Sequence, residues 1–133
     1  MTLVDTSVWI DFLRGLRTPE VDSLRRLLRQ GEVALAAVIV QELLQGARSE
    51  AALAKLRQRL LELPLLTTDI STYVAAGELY ARCRWQGITP RSPHDCLIAS
   101  LAVAHEVSLL AKDRDFAAIS RVLPALRLVR ADT

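Results

Sequence analysis

The stretch "TLVDTSVWI", residues 2–10, opens the chain with an apolar segment that polar residues interrupt. Leu3 and Val4 are typical of a short buried strand, and from Val8 onward the apolar residues show the spacing of a helix. Asp5 lies between the two elements, although aspartate is among the side chains least often buried without a partner. The question is whether a hydrogen-bond donor or a cation satisfies this carboxylate.

The composition is that of a folded domain, with 133 residues, 51% hydrophobic and 24% charged, and a formal net charge of +2. Fifteen arginines accompany only two lysines. Because arginine contacts phosphate with a forked geometry and stacks on bases, this bias weakly supports a nucleic-acid partner. A GC-rich genome explains it equally well. Cys83 and Cys96 are too few for a disulfide framework, so we expect two buried free thiols.

The sequence gives no sign of secretion or of a membrane segment. The N-terminus lacks the basic region of a signal peptide. The longest apolar run, residues 33–40, is far too short to span a bilayer. We therefore expect a cytoplasmic protein that does not contact membranes.

Short apolar strands alternate with helices along the chain, which is typical of a parallel sheet covered by helices on both faces. Thr18, Ser49 and either Thr68 or Asp69 are predicted to cap helices. With no repeats or linker in view, we predict one domain over residues 1–133. The predicted strands are Leu3–Val4, "EVALAAV" (32–38), "LPLLTTD" (63–69), "VSLLAKD" (107–113) and "LRLV" (126–129).

Four acids adjoin apolar segments instead of lying on polar surfaces. Asp5 and Asp113 follow predicted strands, Asp95 lies in the first turn of a predicted helix, and Glu42 lies on an inward-facing helix stripe. Ligand sites of parallel sheets gather beyond the carboxyl ends of the strands. If the two strands are neighbours and both helices begin at that edge, the four carboxylates converge.

Converging carboxylates repel one another, by about 4 kcal/mol for a pair ~4 Å apart at an effective dielectric near 20. Protonation relieves this repulsion, and so does a divalent cation. Oxygen ligands suit Mg²⁺ or Mn²⁺, which activates water and neutralises phosphate charge. Together with the arginines, the acids therefore favour phosphodiester hydrolysis.

Each acid also has a plain structural explanation. Asp5 and Asp95 can cap helices, Glu42 can pair with an arginine such as Arg48, and Asp113 can pair with Lys112 or Arg114. Spacing alone does not decide between these explanations and a metal site.

Three stretches resemble, in order, the motifs of PIN-domain proteins, most closely the VapC-type toxin ribonucleases of toxin–antitoxin pairs. They are "LVDTSVWIDFLRG" (3–15), "QELLQGAR" (41–48) and "SPHDCLIASLAVAHEVSLLAKDRDF" (92–116). The resemblance implies a Mg²⁺- or Mn²⁺-dependent endoribonuclease with a PIN-like three-layer α/β/α fold and a central five-stranded parallel sheet. The residues that match the family's acidic, metal-holding positions are Asp5, Glu42, Asp95 and Asp113. Asp115 matches a fifth acid of some members, and Ser7 matches a small polar residue that orients the first acid.

The resemblance also implies partners. The substrate is RNA, and transfer RNA is what many relatives attack. A small VapB-like antitoxin is expected to place its C-terminal segment in the acidic groove. A homodimer is expected too, with promoter DNA bound only through the antitoxin complex.

Two departures from the family pattern support an alternative function. Ala111 stands where many relatives carry Thr, and the wholly apolar "AAVIV" (36–40) precedes Glu42. Both changes remove polar neighbours that would orient metal ligands. The alternative is a catalytically weak PIN-like module that binds RNA or protein. A phospho-acceptor signalling domain is disfavoured, because "LVDTS" supplies one acid at the first strand end where two are needed.

Two residues close to Asp95 have expected roles of their own. Arg91, in the loop before Asp95, is a candidate to clamp a phosphate of the substrate. His94 is expected to be a solvated loop residue.

Overall fold

The computed structural model of the chain describes residues 1–112 and 114–130. Within these residues, short strands alternate with helices. The strands are β1 (Thr2–Val4), β2 (Val33–Ala36), β3 (Leu65–Leu66) and β4 (Ser108–Leu110). The helices are α1 (Thr6–Leu13), α2 (Pro19–Arg29), α3 (Ala37–Leu44), α4 (Glu50–Leu60), α5 (Ile70–Trp85), α6 (Pro93–Ala104) and α7 (Arg114–Val122).

The strands form one parallel sheet in the order β3-β2-β1-β4. β1 is an interior strand that pairs with both β2 and β4, and Val4 lies opposite Leu110. β1 and β4 therefore end side by side, which was one condition for the predicted acids after these strands to converge. Asp113 itself lies outside the described residues.

The predicted five-stranded sheet is wrong by one strand, since the described residues contain four. In the predicted fifth strand, 126–129, Leu128 forms only an isolated bridge with Leu109. The Leu109 N–H donates to the Arg127 carbonyl, and the Leu109 carbonyl accepts from the Val129 N–H, both at 2.8 Å. Both bonds are made by a single residue of β4, so the pairing does not extend into a strand.

Side-chain caps fix where several helices begin. Thr18, Ser49 and Asp69 each accept a hydrogen bond from a backbone N–H in the first turn of α2, α4 and α5, as predicted. α6 has Ser92 as its N-cap, and Asp95 lies inside its first turn. The explanation of Asp95 as the helix cap is therefore wrong.

The helices form two groups around the sheet. α1 contacts α2 and α3, and α3 contacts α4, whereas α5, α6 and α7 contact one another. This division is consistent with the predicted α/β/α layers. β1 and β4 lie in the core, and the expected buried free thiols Cys83 and Cys96 are confirmed there. No helix in the described part of the chain is both long and apolar enough to cross a membrane.

Candidate functional site

Asp5 lies at the carboxyl end of β1 and begins α1. The residue is 6% exposed, and its backbone N–H donates to the Leu110 carbonyl at 2.9 Å, which joins it to the end of β4. One carboxylate oxygen accepts both the Ser7 hydroxyl at 2.6 Å and the Ser7 backbone N–H at 3.3 Å. Asp5 is thus the N-cap of α1, which confirms the structural explanation that the sequence offered for this acid. The contact expected of Ser7 is present, so the carboxylate is held in a fixed orientation.

Glu42 lies on α3, which follows β2 directly, and its side chain is 31% exposed. The Thr6 hydroxyl donates to its Oε1 at 3.2 Å. Burial raises the pKa of Glu42, because a partly desolvated carboxylate favours its neutral form. The negative charge of Asp5 raises this pKa further, whereas the Thr6 hydrogen bond and His94 lower it. The two acids are therefore close enough to repel each other.

The first turn of α6 brings Asp95 and His94 to the same region. The Nδ1 of His94 lies 4.0 Å from the Oε1 of Glu42. His94 was expected in a solvated loop; it instead belongs to α6, because the Ser92 cap starts the helix before it. Asp95 is half-buried. Together with burial and the neighbouring Cys83, the charge of Asp95 raises the pKa of Cys96 to about 12, so this thiol stays protonated.

Asp115 and Arg91, both assigned to the site from sequence, contact each other. The backbone N–H of Arg91 donates to the Asp115 Oδ2 at 3.3 Å, and the Arg91 Nε lies 3.6 Å from the same oxygen. Asp115 lies in the first turn of α7, whereas the Arg91 side chain is 81% exposed. Asp113, the remaining predicted ligand, lies outside the described residues.

The described residues therefore bring Asp5 and Glu42 together and place the start of α6 beside Glu42. Within residues 1–112 and 114–130, no three His, Cys, Asp or Glu side chains form a group ready to hold a metal. The donors present still fit a hard divalent cation, since Asp5 is a buried carboxylate whose charge repels that of Glu42. A cation would relieve this repulsion, and Mg²⁺ characteristically binds through one or two carboxylates and keeps several waters.

A groove of about 630 Å³ adjoins Glu42 and runs between α1, α3 and α4. It differs from the expected acidic groove, because Glu42 is the one acid among its described lining residues. The apolar lining comprises Ile10, Leu13, Leu43, Gly46, Ala47, Ala52 and Leu56, and the cationic lining comprises Arg14, Arg48, Lys55 and Arg59.

Two side-chain contacts in this region were not predicted from the sequence. Thr6 was not predicted to contact Glu42, because the contact joins residues 36 positions apart. Asp11 and Lys112 form an ion pair with 2.7 Å between Nζ and Oδ2, whereas the sequence suggested Asp113 as the partner of Lys112. The sequence feature that could have indicated a paired acid at Asp11 is its position between the apolar residues Ile10 and Phe12 of α1.

Comparison with known proteins gives consistent results at the level of family and of fold. The PIN domain family matches residues 2–122. The chain is 34% identical over 125 residues to ribonuclease VapC11 of Mycobacterium tuberculosis and to VapC ribonuclease Mb1587 of Mycobacterium bovis, covering 92% of this chain and 93% of each relative.

Similar folds occur in two solved complexes. One is VapBC2 from Rickettsia felis bound to a DNA fragment from its promoter, with a TM-score of 0.77, 22% identity and 98% of both chains covered. The other is FitAcB from Neisseria gonorrhoeae, with a TM-score of 0.73, 20% identity, and 98% of this chain and 97% of that chain covered. At these identities the two structures support the fold alone. The family match over residues 2–122 and the identity to the VapC ribonucleases show that this chain belongs to the PIN domain family.

Proposed function

We propose that the chain is a metal-dependent endoribonuclease and the toxin of a VapBC-type toxin–antitoxin pair. The observation that carries this proposal is the buried Asp5 carboxylate, which lies beside Glu42 at the carboxyl end of an interior strand. The identity to VapC ribonucleases supplies the reaction class, hydrolysis of an RNA phosphodiester bond.

The ligands proposed for Mg²⁺ or Mn²⁺ are Asp5, Glu42, Asp95 and Asp113, with Asp115 as an additional acid. A bound divalent ion would place positive charge on the scissile phosphate and lower the pKa of the attacking water. Two hydroxyls from the first turn of α1 orient ligands: Ser7 holds Asp5, and Thr6 holds Glu42. Thr6 thereby supplies a polar contact that the apolar segment before Glu42 lacks.

Arg91 is the residue proposed to bind the substrate. Its guanidinium is largely exposed at the rim of α7, where Asp115 holds both its backbone and its side chain. An arginine held in this way can offer its outer nitrogens to a phosphate oxygen. We propose cellular RNA, with transfer RNA among the candidates, as the substrate. Cleavage would inhibit translation and growth in the cytoplasm.

A VapB-like antitoxin is the proposed partner, and the groove between α1, α3 and α4 is its proposed docking site. The apolar floor suits an apolar segment, and four cations suit acidic side chains on that segment. A segment bound there would end beside Glu42, where it would obstruct the proposed metal site. We propose that promoter DNA is contacted only through the antitoxin.

A homodimer is also proposed, through the outer face of α5. Large apolar side chains on this face are exposed: Ile70 at 77%, Tyr73 at 55%, Val74 at 54% and Trp85 at 79%. They recur at helical spacing opposite the buried residues of the same helix. Clustered apolar side chains on an otherwise polar surface are typical of a protein interface.

The proposed activity is tested by incubating purified protein with total RNA in Mg²⁺, in Mn²⁺ and in chelator. We expect cuts at discrete sites in either metal and none in chelator. Asp5→Asn should reduce cleavage below detection, because the amide cannot replace the carboxylate charge at the metal. Asp22→Asn, an exposed residue on α2, is the matched control and should cleave like wild type. Absence of cleavage in every metal would instead support the catalytically weak binding module.

A further inference from the structure

The ion pair between Asp11 and Lys112 lies outside the set of residues assigned to the site. The Lys112 Nζ lies 2.7 Å from the Asp11 Oδ2, across 101 positions of sequence. The Asp11 side chain is 6% exposed, whereas the Lys112 side chain is 43% exposed. The contact therefore places a buried carboxylate against a lysine that reaches in from the surface.

Burial makes this contact a strong constraint on the chain. A carboxylate removed from water is costly unless a charge or hydrogen bonds compensate it, and the Lys112 ammonium provides that compensation. Lys112 cannot move away without leaving Asp11 buried and unpaired. An exposed pair such as Glu78 and Arg82 on α5 lacks this property, because water solvates both partners when they separate.

The segment that leaves β4 is consequently attached to α1 at two points. The Leu110 carbonyl accepts the Asp5 N–H at the start of the helix. Two residues later, Lys112 binds Asp11, which lies near the other end of the same helix. Between the two attachments, Ala111 has no hydrogen-bonding side chain. Lys112 therefore provides the side-chain attachment of this segment to α1.

We propose that Asp11 and Lys112 are positioning residues for the metal site. The inference rests on the proposed function, since Lys112 immediately precedes Asp113, one of the proposed ligands. With Asp5 at the first attachment point, the ion pair sets the direction in which the chain leaves β4 relative to the Asp5 carboxylate. Neither residue contacts the metal or the substrate in this proposal.

The test compares Lys112→Met, Lys112→Arg and the double variant Asp11→Leu with Lys112→Met. Lys112→Met leaves Asp11 unpaired and is expected to lower the melting temperature. The double variant removes the buried charge and should fold with a melting temperature near that of wild type. Arg82→Met, which breaks the exposed pair on α5, is the matched control.

The decisive measurement is the dissociation constant for Mn²⁺, from electron paramagnetic resonance of free Mn²⁺ without RNA. We expect the double variant to bind Mn²⁺ about tenfold more weakly than wild type, the usual effect of removing a contact that orients ligands. Its RNA cleavage should recover when Mn²⁺ is raised in proportion. Lys112→Arg and Arg82→Met should bind Mn²⁺ like wild type.

A well-folded double variant with wild-type affinity would overturn the positioning role and leave the ion pair a purely structural contact. A wild-type chain that binds no Mn²⁺ would overturn the proposed metal site itself, and the positioning role with it. The two failures are distinguished by the wild-type titration.

Discussion

At the scale of single residues, Glu42 shows how the fold changes the proton affinity of one carboxyl group. Its charged form is disfavoured by burial and by Asp5, and it is favoured by the Thr6 hydroxyl and by His94. The unfavourable effects prevail, so the pKa of Glu42 lies above its ordinary value of 4.5. The neutral form of Glu42 is therefore favoured more than that of a carboxyl group in water, and the proposed cation would favour the charged form.

This raised pKa makes stability depend on pH in a specific direction. Above pH 4.5 the folded state retains the Glu42 proton while the unfolded state loses it, so stability falls as pH rises toward the folded pKa. Glu42→Gln cannot ionise and still accepts the Thr6 hydrogen bond. In chelator, we expect the variant to melt at the same temperature as wild type below pH 4.5 and at a higher temperature near pH 7.

Thermal melts at several pH values measure this effect. Glu62→Gln, an exposed residue outside the helices, is the control and should leave the pH profile unchanged. A difference between Glu42→Gln and wild type that stays constant from pH 4 to pH 7 would contradict the assigned pKa.

Contacts at the candidate site were predictable from the sequence where the two partners are close in the chain. Asp5 and Ser7 are two positions apart, and their contact follows from helix capping. Thr6 and Lys112 were missed because their partners, Glu42 and Asp11, lie far away in the chain. Pairing across such separations depends on strand order, which periodicity does not specify.

At the scale of elements, α1 carries much of the organisation of the site. Within eight residues and its cap, it holds the Asp5 carboxylate, orients Glu42 on α3 and binds the segment after β4 through Asp11. It also forms one wall of the groove, with α3 and α4 forming the others. A ligand in the groove would therefore contact the same helix that orients the proposed metal ligands.

The groove gives a prediction for antitoxin binding. Arg59→Glu replaces one of the four cationic side chains that line the groove with an acid. We expect the proposed antitoxin to bind this variant about tenfold more weakly than wild type, a loss of ~1.4 kcal/mol in binding free energy. The loss should shrink as salt is added, because the interaction is partly screened. Isothermal titration calorimetry with the purified antitoxin provides the measurement.

Arg57→Glu is the matched control, since Arg57 lies two residues away on α4 and is exposed outside the groove. Equal weakening by both variants would indicate a general charge effect and would count against docking in the groove.

The boundaries of elements were predictable where caps or long periodic patterns mark them. Thr18 and Ser49 begin α2 and α4 as expected, because short polar side chains satisfy the first N–H groups of a helix. The strands were less predictable. "LPLLTTD" contributes only Leu65–Leu66 to the sheet, because Asp69 already caps α5. An apolar run indicates that a segment can join the sheet, but it does not determine how many of its residues pair with a neighbouring strand.

At the scale of the whole molecule, the two helix groups present different surfaces. The α1–α4 group carries the groove, whereas the α5–α7 group carries the apolar outer face of α5. The proposed antitoxin site and the proposed dimer interface thus lie on different helices. Because they share no residues, the same chain can use both surfaces.

The proposed dimer is tested by Val74→Glu, which places a charge at the centre of the α5 face. We expect the variant to elute at half the wild-type mass in light scattering coupled to size exclusion, because an unpaired charge in an apolar interface is costly. Its melting temperature at low concentration should be unchanged, since Val74 is exposed in the single chain.

Ala75→Glu adds the same charge one residue away, at an exposed position on the flank of α5, and should preserve the wild-type mass. If wild type has the mass of one chain at all concentrations, the proposed dimer is wrong.

The pairing of β1 with β4 also has a consequence for the order in which the protein is made. β1 is made well before its neighbour at the site, since β4 begins only at Ser108. A nascent or truncated chain that ends earlier has Asp5 and Glu42, and β2 as one neighbour of β1, but it lacks β4 and Lys112. Such a fragment cannot assemble the proposed site, so the proposed RNA cleavage requires a chain that has been made at least through β4.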